Sequence, residues 1–170
     1  AGAALAGGME LAAVYSRSAQ RAEAFAKKHG AALTFTSLEE MATCAAIDAV
    51  YIASPNVFHA PQSRLFLEHD KHVLCEKPAT VTAVQARELL ALARSRRLVY
   101  MEAIMMLHQP ARKTVLQALG ELGRITTARF DFSQFSSRYA ELQAGKTPNI
   151  FNPALAAGCL MDLGVYCVYP

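Results

Sequence analysis

The residue of this sequence best placed for chemistry is a lysine with little conformational freedom. Lys77 follows the apolar run His72–Cys75 with one residue, Glu76, between them, and it directly precedes Pro78, whose ring restricts the conformation of the residue before it. A lysine held in this way can donate a proton to a substrate oxygen or polarise it. The alternative is a lysine at the end of a strand that pairs with its neighbour Glu76 or faces solvent.

An acid and a phenol near the end of the chain form a second candidate pair. Asp162 and Tyr166 lie four residues apart in an apolar stretch that also contains Gly158 and Gly164. On a helix this spacing places both polar groups on one face, where they are costly to bury without partners. Each glycine costs a helix about 1 kcal/mol relative to alanine, which suggests close packing against another backbone or a ligand. The alternative is a capping Asp beside a core Tyr.

Polar side chains also follow two other apolar runs, 11–15 and 49–53. In a doubly wound sheet, ligands bind outside the carboxyl ends of the strands, so these clusters and the turn at Lys77 should meet at one crevice. The local alternatives are a plain turn, a histidine at a helix start bonded to backbone, and an arginine in a solvated loop. The candidates in the two clusters are Ser16, Arg17, Ser54, Pro55, Asn56 and His59.

Arg17 bears on the choice of cofactor, provided that a dinucleotide site exists. Near this strand end, NAD-selective sites carry an acidic residue that bonds the ribose hydroxyls, whereas an arginine can pair with a 2′-phosphate. The segment 15–18 reads Tyr-Ser-Arg-Ser and holds no acid. The sequence therefore favours NADP, with NAD as the alternative.

Alternating strand and helix signals predict the elements that position these residues. Helix starts carry capping signals, such as Thr82 followed by Gln85, and Gly30 marks a helix end. The predicted strands are 11–15, 33–35, 49–53, 72–75 and 98–102, and the predicted helices are 18–29, 37–45, 61–68, 82–96 and 111–119. Strands alternating with helices of this length imply an α/β fold with a Rossmann-like, doubly wound parallel sheet and helices on both faces.

The pattern of the chain changes after residue 103. In the run 124–135, Phe130 and Phe132 alternate with polar residues, as is typical of a half-exposed antiparallel strand. Residues 136–153 are polar and loop-like, and residues 154–169 are apolar. Because one strand cannot make a sheet, we expect its partners in sequence beyond this chain.

The glycine-rich phosphate loop of a dinucleotide fold is missing from this sequence. Gly2, Gly7 and Gly8 are too far apart for the pattern G-x-G-x-x-G, and no strand precedes them. We expect the first strand and its glycine loop upstream of the chain, with the alanine-rich opening as the end of the first helix. The prediction is a fragment lacking both ends. It comprises a truncated dinucleotide-binding domain at 1–103 and the start of an α+β domain with a mostly antiparallel sheet at 104–170.

The order of these motifs resembles the Gfo/Idh/MocA family of NAD(P)-dependent oxidoreductases over nearly the whole chain. Two positions depart from the family pattern, because Tyr166 replaces the usual His and Asp70 replaces the typical Gly. Tyr166 suits the branch that resembles dimeric dihydrodiol dehydrogenases and NADP-dependent xylose dehydrogenases. Asp tolerates the left-handed backbone conformation moderately well, so we expect little consequence at Asp70.

The resemblance implies hydride transfer between NADP and a hydroxyl carbon of a sugar, polyol or cyclic diol. Lys77, Asp162 and Tyr166 would surround the reacting carbon, with Tyr166 as acid/base and Asp162 orienting it. Lys77 would activate the phenol or bond the substrate oxygen, and the choice of base between Lys77 and Tyr166 stays open. The implied cofactor-binding residues are Ser16, Arg17, Ser54, Pro55, Asn56, His59, Glu76 and Lys77. The family's second domain usually forms a homodimer.

Two alternatives to catalysis remain open at this point. One is a nucleotide-binding family member without turnover, and the other is a truncated chain that is inactive by itself. A truncated chain without the phosphate loop could bind NADP weakly or not at all, and its unpaired strand edges could promote aggregation.

The composition excludes several other classes of protein. With 53% hydrophobic residues, 18% charged residues and a net charge of +3, the chain is neither disordered nor strongly basic. The Lys and Arg residues are scattered, so we expect no nucleic acid partner. No apolar run reaches the ~18 residues of a membrane span. The four Cys show no CxxC and no metal-like spacing with His, so we expect buried free thiols, no metal and a cytoplasmic protein.

Overall fold

Parallel strands form the scaffold of the structure, a computed structural model that describes residues 8–169. Strands β1 (Ala13–Tyr15) and β2 (Leu33–Phe35) form one pair. Strands β3 (Ala49–Ile52), β4 (His72–Cys75) and β5 (Tyr100–Glu102) form a second parallel sheet in that order. The predicted strands and their parallel arrangement are confirmed. Within residues 8–169 no ladder joins the two sheets, and the predicted helix end in the alanine-rich opening lies outside the described residues.

Helices follow the strands, and local signals at their ends account for their bounds. Helix α1 (Ala19–His29) ends where Gly30 adopts a left-handed conformation with φ of 77°. Helices α2 (Leu38–Thr43) and α3 (His59–Glu68) follow β2 and β3. Helix α4 (Ala83–Ser95) begins with a complete capping box, in which Thr82 and Gln85 each accept the other's backbone N–H. These helices confirm the alternating α/β pattern.

The core lies between β3–β5 and the helices α3 and α4. Val50, Ile52 and Val73 point into it from the sheet and are at most 5% exposed. On the opposite face of the same strands, Tyr51, Leu74 and Met101 are aligned by the strand register and are 58%, 38% and 47% exposed. This face of β3–β5 is therefore exposed within the described residues, and β3 is a half-buried rather than a fully buried strand.

The predicted strand at 124–135 is wrong, because this segment has no regular secondary structure. It follows α5 (Pro110–Glu121), which confirms the helix predicted there. A strand is stabilised by a hydrogen-bonded neighbour, and no strand of residues 8–169 pairs with this segment. Its large side chains stay exposed, with Phe130 at 55% and Phe135 at 79%.

The last part of the chain consists of short helical segments rather than one helix. They are α6 (Tyr139–Gln143), α7 (Cys159–Asp162) and α8 (Val165–Val168). The helix considered for Asp162 and Tyr166 is broken, because Leu163 N and Gly164 N both donate to the Cys159 carbonyl and the regular ladder stops there. The expected close packing of the glycines in this segment against another backbone or a ligand is not found in the part of the chain that the structure describes. An added Cβ at Gly158 would meet no atom of residues 8–169 within 4 Å, and one at Gly164 would lie 2.4 Å from the Leu160 carbonyl oxygen of the same segment.

Two further expectations concern single residues. Asp70 adopts the left-handed conformation, with φ of 58°, and its carboxylate pairs with Arg96 at 2.9 Å. Of the four Cys expected to be buried free thiols, Cys75 is buried, Cys44 and Cys167 are partly buried, and Cys159, the first residue of α7, is exposed. No helix among residues 8–169 is long and apolar enough to cross a membrane.

Candidate active site

The centre of the candidate site is an ion pair between the two parts of the chain. Lys77, in the turn after β4, places its Nζ 2.5 Å from Asp162 Oδ1 and 2.9 Å from the Asp162 carbonyl oxygen. The side chains are only 15% and 31% exposed. The pair is therefore partly shielded from water, and Lys77 does not pair with its neighbour Glu76.

Tyr166 joins this pair despite the broken helix. The Lys77 Nζ lies 5.2 Å from the centre of the Tyr166 ring, within the range of a cation–π contact. The Tyr166 ring also stacks on the Phe132 ring, with the ring centres 5.1 Å apart and an angle of 22° between the ring planes. The structure thus brings together Lys77, Asp162 and Tyr166, and places the Lys77 ammonium against the Tyr166 ring.

Hydrogen bonds hold the turn that carries Lys77 on both sides. The backbone N–H of Lys77 donates to Glu76 Oε2 at 3.2 Å, and Ala79 N donates to Glu102 Oε1 at 2.7 Å. The hydroxyl of Tyr51 donates to the other oxygen of Glu76, and burial followed by this contact raises the pKa of Tyr51 to about 12. Both oxygens of Glu76 thus accept hydrogen bonds from other groups of the protein.

The turn after β3 forms one wall of a cleft. Ser54 Oγ donates to Gln62 Oε1 at 2.8 Å, and Asn56 Nδ2 donates to the Ala156 carbonyl at 2.8 Å. The second bond ties this turn to the C-terminal segment. Between the turn and the C-terminal segment lies a cleft with a volume of about 290 Å³, which is near the lower limit of volumes for small-molecule sites. Its lining includes Ser54, Pro55, Asn56, Asn149, Ile150 and Asp162.

His59 lies behind this wall and not in the open cleft. His59 is only 1% exposed. Ring atom Nε2 lies 2.6 Å from the Ser54 carbonyl oxygen, and Nδ1 lies 2.8 Å from the Pro78 carbonyl oxygen. The prediction that His59 binds cofactor stays a prediction, and both ring nitrogens already have protein neighbours.

Ser16 and Arg17 lie at the carboxyl end of β1, outside the lining of the cleft. Ser16 Oγ accepts the backbone N–H of Ser18 at 3.2 Å. Arg17 is exposed. The structure therefore places these two candidates on the same kind of strand end as Lys77, but on the separate two-stranded sheet.

Two contributors to the site were missed by the sequence analysis. Glu102 accepts from Ala79 N through one oxygen and from the Tyr169 hydroxyl, at 3.0 Å, through the other. This second bond is the main cause of a raised pKa for Tyr169. An acid at the end of β5 was a readable signal, since Glu76 follows β4 in the same way. Ala156 contributes only a backbone carbonyl, for which no side-chain signal exists.

No group of three His, Cys, Asp or Glu side chains in residues 8–169 is arranged to hold a metal ion. The charged contacts of the candidate site are instead made between amino acid side chains. The arrangement can therefore hold a polar oxygen of a ligand near the Lys77 ammonium and the Asp162 carboxylate.

Comparison with known families agrees with this arrangement of strands and turns. Residues 2–104 match the Gfo/Idh/MocA family, an oxidoreductase family with an NAD-binding Rossmann fold. The chain belongs to this family. The suspected resemblance and the α/β Rossmann fold are thus confirmed.

Curated Gfo/Idh/MocA relatives match nearly the whole chain. The scyllo-inositol 2-dehydrogenase (NADP(+)) IolU of Bacillus subtilis is 45% identical over 161 residues, which are 95% of this chain and 49% of that protein. The trans-1,2-dihydrobenzene-1,2-diol dehydrogenase of Homo sapiens is 36% identical over 161 residues, which are 94% of this chain and 46% of that protein. The chain therefore spans about half the length of the curated relatives it matches.

A solved Gfo/Idh/MocA structure supports the same fold. It is the 3-ketoreductase KijD10 from Actinomadura kijaniata in complex with NADP and TDP-benzene. The match has a TM-score of 0.64 at 37% identity and covers 66% of this chain and 34% of that chain.

Proposed function

We propose that this chain is part of a dehydrogenase that transfers a hydride between NADP and a hydroxyl carbon of a sugar, polyol or cyclic diol. The observation that carries the proposal is the Lys77–Asp162 ion pair against the Tyr166 ring, at the carboxyl edge of a parallel sheet. Relatives named as inositol and dihydrodiol dehydrogenases support this substrate class. Dehydrogenation of a hydroxyl carbon needs a hydride acceptor and a proton acceptor, and the site supplies residues for the second.

The residues at the strand ends fit a dinucleotide. Arg17 is exposed beside β1, where its guanidinium can pair with a 2′-phosphate. Ser54, Pro55 and Asn56 line an open cleft that leads to Asp162. Glu76 would contribute by holding the Lys77 backbone through its carboxylate. NADP supplies hydride chemistry at its nicotinamide ring when it is bound.

The proton and the substrate oxygen are handled by three side chains. Lys77, paired with Asp162, carries only hydrogen-bond donors and can bond the substrate oxygen. Asp162 holds the ammonium in place and is 31% exposed toward the cleft. With its hydroxyl deprotonated, Tyr166 can accept the substrate's hydroxyl proton during oxidation, and with its hydroxyl protonated it can return that proton during reduction. We therefore infer that Tyr166 is the acid/base and that Lys77 orients the oxygen.

The organisation of the protein is also part of the proposal. We infer a dinucleotide-binding domain at 1–103 and the start of a catalytic α+β domain at 104–170, because the family match ends at residue 104. We further infer a cytoplasmic protein, in line with the free thiols of Cys75 and Cys159. The homodimer is inferred from the family resemblance alone. Light scattering coupled to gel filtration of the full-length protein tests the dimer, and a monomer would contradict it.

Titration and turnover of the full-length protein test the function. NADP binding is measured by calorimetry, and turnover by the absorbance of reduced nicotinamide with inositols, aldopentoses and cyclic diols. We expect saturable NADP binding and turnover with at least one of these hydroxyl compounds. Binding without turnover on every compound would favour a non-catalytic family member, and absence of binding would overturn the proposal.

A further inference from the structure

The ring of His59 connects the two turns that border the candidate site. His59 is the first residue of α3, and its ring lies between the Ser54 carbonyl, 2.6 Å from Nε2, and the Pro78 carbonyl, 2.8 Å from Nδ1. These two contacts span 5 and 19 positions of the chain. We propose that His59 is a positioning residue that sets the distance between the turn after β3 and the turn carrying Lys77.

The chemistry of imidazole suits this role. The ring is rigid, and its two nitrogens point in divergent directions. The neutral ring has one N–H and can donate to one of the two carbonyls, whereas the protonated ring donates to both. Because the residue is 1% exposed, water does not readily replace either contact. With both nitrogens against backbone oxygens, His59 acts through the two turns that it connects.

The two turns that His59 spans carry the walls of the site. Ser54 lines the cleft and Pro78 directly follows Lys77, whose Nζ meets Asp162. A movement of the Pro78 carbonyl shifts the Lys77 backbone, while a movement of Ser54 shifts the cleft wall. His59 therefore couples the position of the ammonium to the position of the wall. The consequence for catalysis, but not the coupling itself, rests on the proposed function.

Three substitutions separate the two contacts. In His59→Gln the side-chain amide nitrogen reaches about as far as Nε2 did and retains a donor toward the Ser54 carbonyl. In His59→Asn the amide nitrogen takes the place of Nδ1 and retains a donor toward the Pro78 carbonyl. His59→Phe keeps a ring and removes both donors. The Gln and Asn variants test whether His59 connects the two turns even if the Phe variant does not fold.

Amide hydrogen exchange of the full chain gives the decisive measurement. We expect about fivefold faster exchange, the equivalent of one lost hydrogen bond, at Lys77 and Ala79 in His59→Gln. We expect the same change at Val57 and Phe58 in His59→Asn, and at both places in His59→Phe. The reciprocal pattern supports the proposal. Identical patterns in the Gln and Asn variants, or unchanged exchange at both turns, would overturn it.

A second histidine of the same helix region provides the matched control. His69 follows α3, is exposed, and contacts one carbonyl, that of Leu65, at 2.8 Å. We expect His69→Gln to leave exchange at both turns unchanged, and a change there would overturn the proposal. In the full-length enzyme, the His59 variants should lower kcat by about tenfold with less change in the KM for NADP. If exchange shows the reciprocal pattern but no variant or wild type turns over, the proposed function fails and the coupling stands.

Discussion

The ammonium nitrogen of Lys77 lies 2.5 Å from Asp162 Oδ1, although the two residues are 85 positions apart in the chain. The same nitrogen also donates to the Asp162 carbonyl at 2.9 Å, so one lysine binds both the side chain and the backbone of one residue. Removing either partner of a partly buried pair leaves the other with an unsatisfied charge, which costs more than the pair itself contributes. Lys77 and Asp162 therefore depend on each other for their positions.

Loss of the acid/base group or of the ammonium should stop turnover. In the full-length protein, Tyr166→Phe and Lys77→Met should each reduce kcat by about 10²-fold or more, the usual effect of losing a proton-transfer group. The measurement is steady-state reduction of NADP with the best substrate found. Lys71→Met is the control, because Lys71 Nζ donates to the Cys44 carbonyl, away from the site. Near-normal kcat in both site variants would remove Lys77 and Tyr166 from the mechanism.

Loss of the Arg17 guanidinium should change cofactor preference. Arg17→Ala removes the exposed cation at the end of β1, and we expect at least about a tenfold rise in the KM for NADP with little change for NAD. The measurement compares both cofactors with one substrate. Arg21→Ala, in the first turn of α1, is the control for a general loss of positive charge. An equal effect of Arg17→Ala on NADP and NAD would exclude the phosphate contact.

A methyl group at Gly164 should disturb the segment that presents Asp162 and Tyr166. An added Cβ would lie 2.4 Å from the Leu160 carbonyl oxygen. We expect Gly164→Ala to lower the free energy of unfolding by about 1–3 kcal/mol, as overpacking does. Gly120→Ala is a control of opposite sign, because Gly120 lies in α5 with no atom near its added Cβ and should gain up to about 1 kcal/mol. Urea unfolding measures both, and an unchanged Gly164→Ala protein would contradict the close approach.

The free energy of unfolding should fall at alkaline pH because β4 ends in a buried thiol, that of Cys75. Burial, with added effects of Glu102 and Glu76, raises the pKa of the Cys75 thiol from 9.0 to about 12. Because the pKa is raised in the folded state, the unfolded chain loses the thiol proton at a lower pH than the folded protein. The contribution of the protonated thiol to the free energy of unfolding is therefore present below pH 9 and is lost as pH rises toward 12. We expect urea unfolding under reducing conditions to show this decline.

The thiol's share of that decline can be separated by substitution. Cys75→Ser removes the titrating thiol and should make the free energy of unfolding fall less steeply above pH 9. Cys159→Ser, at an exposed thiol, should retain the wild-type slope. Burial also raises the pKa of Tyr100 to about 12, so part of the decline should remain in both variants. Identical slopes in Cys75→Ser and wild type would contradict the assignment.

Local signals were sufficient for the elements of the first half of the chain. The capping box at Thr82 and the left-handed Gly30 act within one helical turn, so their effect is visible in neighbouring residues. At Asp70 the resemblance to the family, which typically has Gly there, pointed to the left-handed backbone that the structure shows. Motif order was sufficient for the family, since Lys77 and the turn at Ser54 follow successive strands.

The alternating pattern of 124–135 was not sufficient for a strand, because pairing depends on a neighbour that residues 8–169 do not provide. Likewise, the spacing of Asp162 and Tyr166 indicated one helix face, but the regular hydrogen-bond ladder stops between them, where Leu163 N and Gly164 N both donate to the Cys159 carbonyl. A sequence pattern indicates which local conformation a segment is suited to adopt. It does not specify the partner that stabilises that conformation.

The sequence by itself determined the parallel α/β elements, the strand ends that carry the polar turns, and the identity of the candidate residues. Hydrophobic periodicity and helix caps are short-range, so they could be read without coordinates. Only the tertiary structure decided that Lys77 pairs with Asp162 and not with Glu76, that Glu102 holds the turn, and that His59 joins two turns. Those contacts depend on distances between remote segments, which no local pattern encodes.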